Sequence, residues 1–367
     1  MITPLVSFPT LVDFELALRS DRARADEVHW AMDGSFAREA ERQIEIGRSL
    51  VSRGLPPLVS ARAFSLILGV SPKLIPAMTR SPEVYWRSFS LLKKDGTPRQ
   101  ITTPRAFLKT VQLYLLRFVL DRVPESPSAY GFTVGKGALK NAAQHLGQRF
   151  VWNTDIQDFF PSITFYQVAT VFRDLGFPEP MPELLAALCT FSRRLPQGAP
   201  TSPKLSNLVF APFDQRLIAI AAENGFHYSR YADDITFSGP QKPASSLIES
   251  VRNELIPGGF RLNIKKTRLH GPSEARYVTG YVVNEKIHPD RETRRMLRAR
   301  FHALSLVQSI TAEQFYSLQG WASYVFSYDQ VTGARYLGIV AKAKEKVVSA
   351  PDVHGPQTGL SFLDQER

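Results

Sequence analysis

Three aspartates occupy positions at which the sequence could support chemistry on phosphate groups. Asp155 closes a strand-like run that begins at Phe150, and the adjacent pair Asp233 and Asp234 lies later, in a segment with the alternation of a β-hairpin. Carboxylates on neighbouring strands can bind Mg²⁺, which prefers oxygen ligands and accepts substrate phosphates as the remaining ones. Two such ions can serve the attacking and leaving oxygens of an in-line displacement. The pattern predicts metal-dependent phosphoryl transfer, although an Asp-Asp pair by itself is also ordinary turn chemistry.

The elements that must position these aspartates alternate between strands and helices. Strand-like runs occupy 85–92 and 150–156, and a hairpin pattern occupies 226–238. Apolar residues at helical spacing predict helices at 106–122, 138–148, 163–175, 182–193, 201–223 and 245–255. After Pro289 the pattern is helical, with Asp290 at the N-cap position. This order of strands and helices is typical of an α+β domain.

The composition indicates a folded protein with a polyanionic partner. Lys and Arg number 45 against 34 Asp and Glu, which leaves a net charge of +11, and such an excess suits either nucleic acid or a membrane surface. No apolar run reaches the ~20 residues that span a bilayer, so we expect no membrane partner and a cytoplasmic location. The single cysteine, Cys189, excludes an internal disulfide and a cysteine-based zinc cluster. It is predicted to be a small core residue.

Three blocks in this sequence resemble the motifs of reverse transcriptases. Tyr231-Ala232-Asp233-Asp234 resembles their hallmark hairpin, and the segment 155–163 resembles their first catalytic motif. The segment 197–203 resembles the loop and helix between those motifs, in the same order. The resemblance implies a right-hand polymerase fold: fingers, a palm with an antiparallel sheet and packed helices, and a helical thumb.

The same resemblance implies a role for each acidic residue in RNA-directed DNA synthesis. Asp155 and Asp233 would be the main ligands of two Mg²⁺ ions, with the carbonyl of Ile156 as a further ligand. Asp234 would be the outer carboxylate.

Residues for the incoming dNTP also follow from the resemblance. Phe160 falls where the family keeps a bulky ring beneath the sugar, which would reject a 2′-hydroxyl; a core phenylalanine is the alternative. Gln197 and Gly198 would approach the nucleotide and the template base, because glycine permits close backbone contact. A plain helix-entry turn is the alternative for these two residues.

Basic residues complete the expected nucleotide site. Asp-Gly at 95–96 predicts a hairpin with a basic rim, and there Lys94 and Arg99 resemble the fingers residues that grip the triphosphate. Lys93 competes with Lys94 for this role, and a solvated charged turn is the alternative. Lys266 resembles the lysine that approaches the leaving pyrophosphate.

Two short elements narrow the resemblance to retron reverse transcriptases. The segment 141–145 matches their Asn-Ala-x-x-His element, and 278–284 matches their Val-Thr-Gly element. A structural histidine is the alternative at His145, and a solvated helix face is the alternative for the arginines after Pro289. The residues expected to contact nucleic acid are Asn141, His145, Val278, Thr279, Gly280, Arg291, Arg294, Arg295 and Arg298.

Membership among the retron enzymes would imply a particular biology. The partners would be a cognate structured noncoding RNA as template and primer, the DNA product, dNTPs and a separately encoded effector protein. Synthesis would start from an RNA 2′-hydroxyl and give branched RNA linked to single-stranded DNA, within an anti-phage system. A group II intron, diversity-generating or abortive-infection reverse transcriptase is the first alternative, although the tail after residue 345 is not expected to hold a maturase region. A non-catalytic RNA-binding scaffold is the second, although clustered carboxylates without metal are costly.

The resemblance covers roughly residues 60 to 345 and implies a division of the chain into regions. These are a helical N-terminal extension at 1–58, fingers with part of the palm at 59–150, the palm at 151–285 with a fingers-side insertion around 176–200, a helical thumb at 286–348, and a flexible tail at 349–367.

Overall fold

The computed structural model describes residues 35–92 and 96–348, and it has the predicted α+β class. The first part contains helices and one antiparallel hairpin. The helices are α1 (Ser35–Ser52), α2 (Ala61–Leu68), α3 (Leu74–Arg80), α4 (Pro82–Tyr85) and α5 (Ala106–Phe118). The hairpin joins β1 (Trp86–Leu92) to β2 (Pro98–Pro104), with Leu92 paired to Pro98.

A four-stranded antiparallel sheet forms the centre of the molecule, in the order β4-β5-β3-β6. Its strands are β3 (Phe150–Asp155), β4 (His227–Tyr231), β5 (Asp234–Gly239) and β6 (Arg268–His270). The middle strand β5 is buried except at its first residue, and β3 is buried or half-buried throughout, as expected where a sheet is covered on both faces. The sheet therefore holds the ends of β3 and β5 in a fixed register.

Helices cover this sheet. They are α6 (Ala138–Ala143), α7 (Phe159–Ser162), α8 (Phe165–Asp174), α9 (Met181–Cys189), α10 (Ser202–Glu223) and α11 (Ser245–Leu255). All of them except α6 share one continuous hydrophobic core with the first part of the chain. Aromatic rings fill the space between the sheet and the helices; for example, the ring centroids of Phe210 and Phe260 lie 4.9 Å apart. Cys189 is fully buried in this core, as predicted.

Two smaller sheets and three helices make up the C-terminal part. Strands β7 (Tyr277–Val278), β8 (Tyr281–Val283) and β9 (Ile287–Pro289) form an antiparallel sheet, and β10 (Ile310–Thr311) pairs in parallel with β11 (Val347–Val348). Helices α12 (Arg291–Leu306), α13 (Ala312–Tyr328) and α14 (Gln330–Ala343) enclose a separate core. The predicted N-cap is present, because the Asp290 side chain accepts a hydrogen bond from the N–H of Thr293.

Two predicted helices are shorter than expected, for local reasons. The helix predicted at 138–148 ends at Ala143, and the chain then turns through Gly147, which has φ 76° and donates its N–H to the Val283 carbonyl. The helix predicted at 182–193 ends at Cys189 because Ser192 and Arg193 adopt positive φ in a tight turn.

The division of the chain into fingers, palm and thumb at the stated boundaries stays a prediction. Residues 1–34 of the predicted extension and the whole predicted tail at 349–367 lie outside the described residues. Within the described ranges, no helix combines the length and apolar character that crossing a membrane requires.

Candidate active site

A tight turn between β4 and β5 presents the acidic pair. Tyr231 pairs with Asp234, so Ala232 and Asp233 form a two-residue loop. Ala232 has φ 57°, the left-handed conformation that hairpin loops of this length require. Asp233 therefore lies at the tip of the hairpin, whereas Asp234 is the first residue of β5.

Strand pairing brings the third aspartate to the same point. Asp155, the last residue of β3, pairs directly with Asp234, and the N–H of Ile156 donates to the carbonyl of Asp233 over 2.9 Å. The carboxyl in hydrogen-bond contact with Asp155 is that of Asp234, the residue that the resemblance to reverse transcriptases assigned as the outer carboxylate. The reason is the register, since Asp233 occupies the turn and has no partner residue across the sheet.

Loss of hydration and nearby negative charge change the acidity of this pair. Asp234 is exposed as a whole residue, yet the surrounding protein removes much of the hydration of its carboxyl, and this is the main cause that raises the pKa of the carboxyl to about 8. A hydrogen bond with Asp155 and the charges of Asp155 and Asp233 act in the same direction, and Lys266 opposes them. Burial, with the charge of Asp155 added to it, also raises the pKa of Asp233.

We expect the metal-free protein to lose stability as the pH rises from about 4 to about 8. The folded protein keeps the Asp234 proton up to a pKa of about 8, whereas the unfolded chain loses it near the ordinary value of 3.8. Between these values the folded state binds more protons, so its stability falls with rising pH. Asp234→Asn should remove this component and raise the melting temperature at pH 8 by on the order of 2 °C.

Scanning calorimetry with a chelator present measures this effect. Asp174→Asn, which changes an exposed aspartate at the end of α8, is the matched control and should follow the wild type at every pH. If Asp234→Asn has the same melting temperature as the wild type both at about pH 5 and at about pH 8, the raised pKa of the Asp234 carboxyl is wrong.

The structure brings two of the predicted basic residues to the acidic centre. The Nζ of Lys266 lies 3.6 Å from Oδ1 of Asp155, while 62% of the Lys266 side chain stays exposed to the cleft. Arg99 on β2 lies close enough for its charge to lower the pKa of Asp233 against the effect of burial. Lys94 and its competitor Lys93 lie outside the described residues.

A cavity of about 420 Å³ contains the other predicted nucleotide residues, Phe160, Gln197 and Gly198. The Gln197 carbonyl accepts a hydrogen bond from the N–H of Thr102, which fastens this loop to β2. Gly198 has φ 122°, and an added Cβ would lie 2.8 Å from the Ile101 side chain, so the close approach needs glycine.

Several residues that line this cavity were not predicted as site residues, and one of them is polar and unpartnered. Ser202, the first residue of α10, lines the cavity, and its buried Oγ has no hydrogen-bond partner among the described residues. The signal was its place inside the motif at 197–203, at a helix start that faces the predicted site.

Three of the residues predicted to contact nucleic acid are buried, which contradicts that prediction. Asn141 and His145 are 1% and 0% exposed, and Val278 is 0% exposed in a small core between α6 and β8. Both ring nitrogens of His145 lie 2.7 Å from serine hydroxyls, those of Ser238 and Ser229. The structural alternative for His145 is therefore confirmed.

The acidity of His145 agrees with this structural role. Burial, together with the charge of His227, lowers the pKa of the His145 imidazole to about 3. The ring therefore stays neutral and ties α6 to the central sheet.

The remaining predicted contacts lie nearer the surface. Gly280 is exposed, and the Thr279 hydroxyl donates to the Ala138 carbonyl over 2.8 Å. Four of the five arginines of α12 are exposed, namely the predicted Arg291, Arg294, Arg295 and Arg298. Arg294 and Arg298 line a groove of about 1120 Å³ together with Lys140, Lys286 and Arg335.

The donor set of the acidic centre fits a divalent cation that prefers oxygen. Asp155 and Asp234 are two carboxyls in hydrogen-bond contact, and such a pair is stable only with a shared proton or a bound cation. Across the ranges that the structure describes, no three His, Cys, Asp or Glu side chains are grouped so that they alone could hold a metal ion. Two carboxylates are nevertheless a common protein contribution to Mg²⁺ sites that also use substrate phosphates.

Comparisons with known proteins decide the family. The sequence profile described as reverse transcriptase (RNA-dependent DNA polymerase) matches residues 91–340. The retron Ec86 reverse transcriptase of Escherichia coli is 33% identical over 302 residues, covering 81% of this chain and 93% of that protein. The retron Mx162 reverse transcriptase of Myxococcus xanthus is 33% identical over 365 residues, covering 88% of this chain and 75% of that protein.

The chain belongs to the retron-type reverse transcriptases. It is an RNA-directed DNA polymerase with the α+β fold of that family. A solved telomerase from Candida albicans is similar with a TM-score of 0.42 at 8% identity, covering 71% of this chain and 57% of that one. In this reverse transcriptase, the aspartates at the ends of β3 and β5 and at the turn before β5 form the candidate catalytic centre.

Proposed function

We propose that this reverse transcriptase copies a cognate structured noncoding RNA and starts from a 2′-hydroxyl of that RNA. The pairing of Asp155 with Asp234 beside the turn at Asp233 supports the polymerase chemistry, and the similarity to retron reverse transcriptases supports the template and the primer. A priming hydroxyl would attack the α-phosphorus of a dNTP, and pyrophosphate would leave. The product would be branched RNA linked to single-stranded DNA.

Asp155, Asp233 and Asp234 would hold Mg²⁺, two ions per site, with the Ile156 carbonyl as a further ligand. Bound ions would supply the positive charge that offsets the charge of the phosphates during transfer. The carboxyl groups of Asp155 and Asp234 are in contact, and without a bound cation the pair does not keep both negative charges. This supports the assignment. Lys266 and Arg99 would bind oxygens of the triphosphate, because both side chains lie beside the acidic centre and carry positive charge.

The cavity lined by Phe160, Gln197 and Gly198 would hold the sugar and base of the incoming dNTP. Phe160 would lie beneath the sugar, and its ring is held by contacts with Phe159 and Phe132 at centroid distances of 5.6 and 6.0 Å. Gln197 and Gly198 would contact the nucleotide through the loop that is fastened to β2. Lys94 would join Arg99 on the triphosphate.

The cellular setting is part of the same proposal. Retron reverse transcriptases are similar to this chain over most of its length, which supports an anti-phage retron system with a separately encoded effector protein. We also propose a cytoplasmic location, where dNTPs and a bacterial transcript are both present.

The test is to express the protein with its flanking DNA and to sequence the nucleic acid that co-purifies with it. We expect an RNA and DNA hybrid joined at a 2′-hydroxyl, which resists separation under denaturing conditions and yields a free DNA after debranching. DNA with an ordinary 3′ linkage would support another type of bacterial reverse transcriptase. Bound RNA without any DNA, and no extension of a primed RNA with dNTPs and Mg²⁺, would support the RNA-binding scaffold.

The exposed arginines of α12 would track the phosphate backbone of the nucleic acid. Replacing Arg294, Arg295 and Arg298 by glutamine should weaken RNA binding and reduce the slope of log affinity against log salt concentration by about 2 to 3, because three phosphate contacts disappear. Fluorescence anisotropy over a salt series measures this slope. The matched control replaces the exposed Arg80, Arg117 and Arg252 on other helices, and equal slopes in the two triple variants would contradict the proposal.

A further inference from the structure

A buried ion pair lies directly beneath the hairpin that carries the acidic pair. Arg230 on β4 and Asp214 on α10 are both 0% exposed, and two guanidinium nitrogens of Arg230 donate to the two carboxylate oxygens of Asp214 over 2.9 and 2.7 Å. Phe210 on the same helix lies under the guanidinium, 4.6 Å from its carbon to the ring centroid. Neither residue was predicted as a site residue. The sequence does place Arg230 at a core-facing position of a strand and Asp214 on the apolar side of a helix.

The third nitrogen of the guanidinium reaches the turn itself. Nη1 of Arg230 donates to the carbonyl of Ala232 over 2.9 Å and to Oδ1 of Asn207 over 3.0 Å. Ala232 is the left-handed residue of the turn, a conformation that is unfavourable for a residue with a side chain and that needs support from its surroundings. The hydrogen bond from Arg230 supplies that support at the residue immediately before Asp233.

A neighbouring segment closes the other side of the turn. The backbone of Arg230 bonds to Ser128 and Tyr130, through N–H to carbonyl distances of 2.8 and 2.7 Å. The Asn207 amide donates to the Gly131 carbonyl over 2.9 Å. Gly131 packs so closely that an added Cβ would clash with the backbone nitrogen of Ala232.

Stability alone does not account for this arrangement. Removing two charges from water is costly, and well-packed apolar side chains of similar volume often hold a core equally well. An apolar side chain could not donate to the Ala232 carbonyl. The planar fork of arginine can engage a carboxylate and still direct a further N–H elsewhere, which a single ammonium group cannot do.

We propose that Arg230 is a positioning residue for the polymerase reaction: held by Asp214, it fixes the Ala232 turn and so sets where Asp233 and Asp234 stand relative to Asp155. The proposal rests on the proposed metal-dependent function of these aspartates. Arg230 touches neither substrate nor reacting atoms. Its effect on the reaction passes through the backbone of the turn.

Arg230→Lys tests the role, because lysine keeps the buried charge but loses the fork. We expect about 10-fold weaker Mn²⁺ binding to the nucleic-acid-free protein, measured by electron paramagnetic resonance, and a kcat lowered about 10- to 100-fold. The KM for dNTP should change by less than about threefold, because the residues that line the nucleotide cavity are untouched. The measured kcat is divided by the fraction of active enzyme, which is obtained from the amplitude of the first turnover.

Gln112→Leu is the matched control. Gln112 is fully buried in α5, and its amide donates to the Leu188 carbonyl over 2.7 Å, away from the hairpin. This variant should lower the melting temperature without changing Mn²⁺ affinity or kcat per competent molecule. If Arg230→Lys behaves in the same way, Arg230 is only structural and the inference is overturned.

Asp214→Asn provides a second variant of the same contact, close in shape to the wild type. It removes the negative charge that holds the guanidinium, and we expect Mn²⁺ affinity and kcat to fall in the same direction as in Arg230→Lys. Where Arg230→Lys does not fold, wild-type Mn²⁺ affinity in Asp214→Asn overturns the inference. A wild-type protein that neither extends a primer nor binds Mn²⁺ refutes the proposed function instead, so the two failures are distinguishable.

Discussion

Replacing Asp233 by asparagine is expected to reduce DNA synthesis by about 10³-fold or more, because the site loses a carboxylate that would hold the metal ions, and those ions would neutralise the charge of the phosphates. Asparagine has nearly the same shape, and the turn keeps its backbone hydrogen bond from Ile156 to the carbonyl at 233. The fold should therefore persist. The measurement is extension of a primed RNA with dNTPs and Mg²⁺ under single-turnover conditions, together with thermal unfolding.

The matched control for this variant is Asp121→Asn, which changes an exposed aspartate in a short 3-10 helix after α5. It should synthesise DNA at the wild-type rate. RNA binding should stay within about threefold of the wild type in Asp233→Asn, since the arginines of α12 are unchanged. Full activity in Asp233→Asn would refute the assignment of the catalytic centre.

Replacing Phe160 by alanine is expected to reduce the preference for dNTPs over rNTPs by about 100-fold, measured as the ratio of kcat/KM values. The ring lines the cavity with Gln197 and Gly198. Removing it opens space where a 2′-hydroxyl would otherwise collide. The effect should arise from better use of rNTPs, with a smaller loss for dNTPs.

Phe160→Tyr tests whether the bulk of the ring sets the selectivity, because tyrosine keeps an aromatic ring beneath the sugar. It should retain most of the selectivity. Phe107→Ala, which removes an exposed phenylalanine of α5, should leave selectivity unchanged. If Phe160→Ala discriminates like the wild type, Phe160 is the core phenylalanine of the alternative interpretation.

The cluster beneath the hairpin explains why these two experiments address different parts of one site. The carboxylates are set by strand register and by the turn at Ala232, whereas the nucleotide cavity is set by the loop at 197–203 and its hydrogen bond to β2. A change in one part should leave the other largely intact. The separation between kcat and KM effects proposed for Arg230→Lys depends on this independence.

His145 illustrates where reasoning from a motif was insufficient. The histidine of the 141–145 element was predicted to contact nucleic acid, and the structure buries it with both ring nitrogens on serine hydroxyls. Those serines lie on β4 and β5, more than 80 residues along the chain (sequence separations of 84 and 93). No local sequence pattern reveals a hydrogen-bond partner at that distance. The histidine of a short motif could therefore be interpreted equally as a nucleic-acid contact or as a structural residue.

The sequence by itself determined the residue types, the order of elements and the hairpin that presents Asp233 and Asp234, because turn chemistry and apolar periodicity are local properties. Only the tertiary structure decided that Asp155 contacts Asp234, that burial raises the pKa of that carboxyl to about 8, and that Arg230 supports the turn. These facts depend on which atoms meet across strands and helices that are distant along the chain. Periodicity indicates which face is buried, but it does not identify what packs against that face.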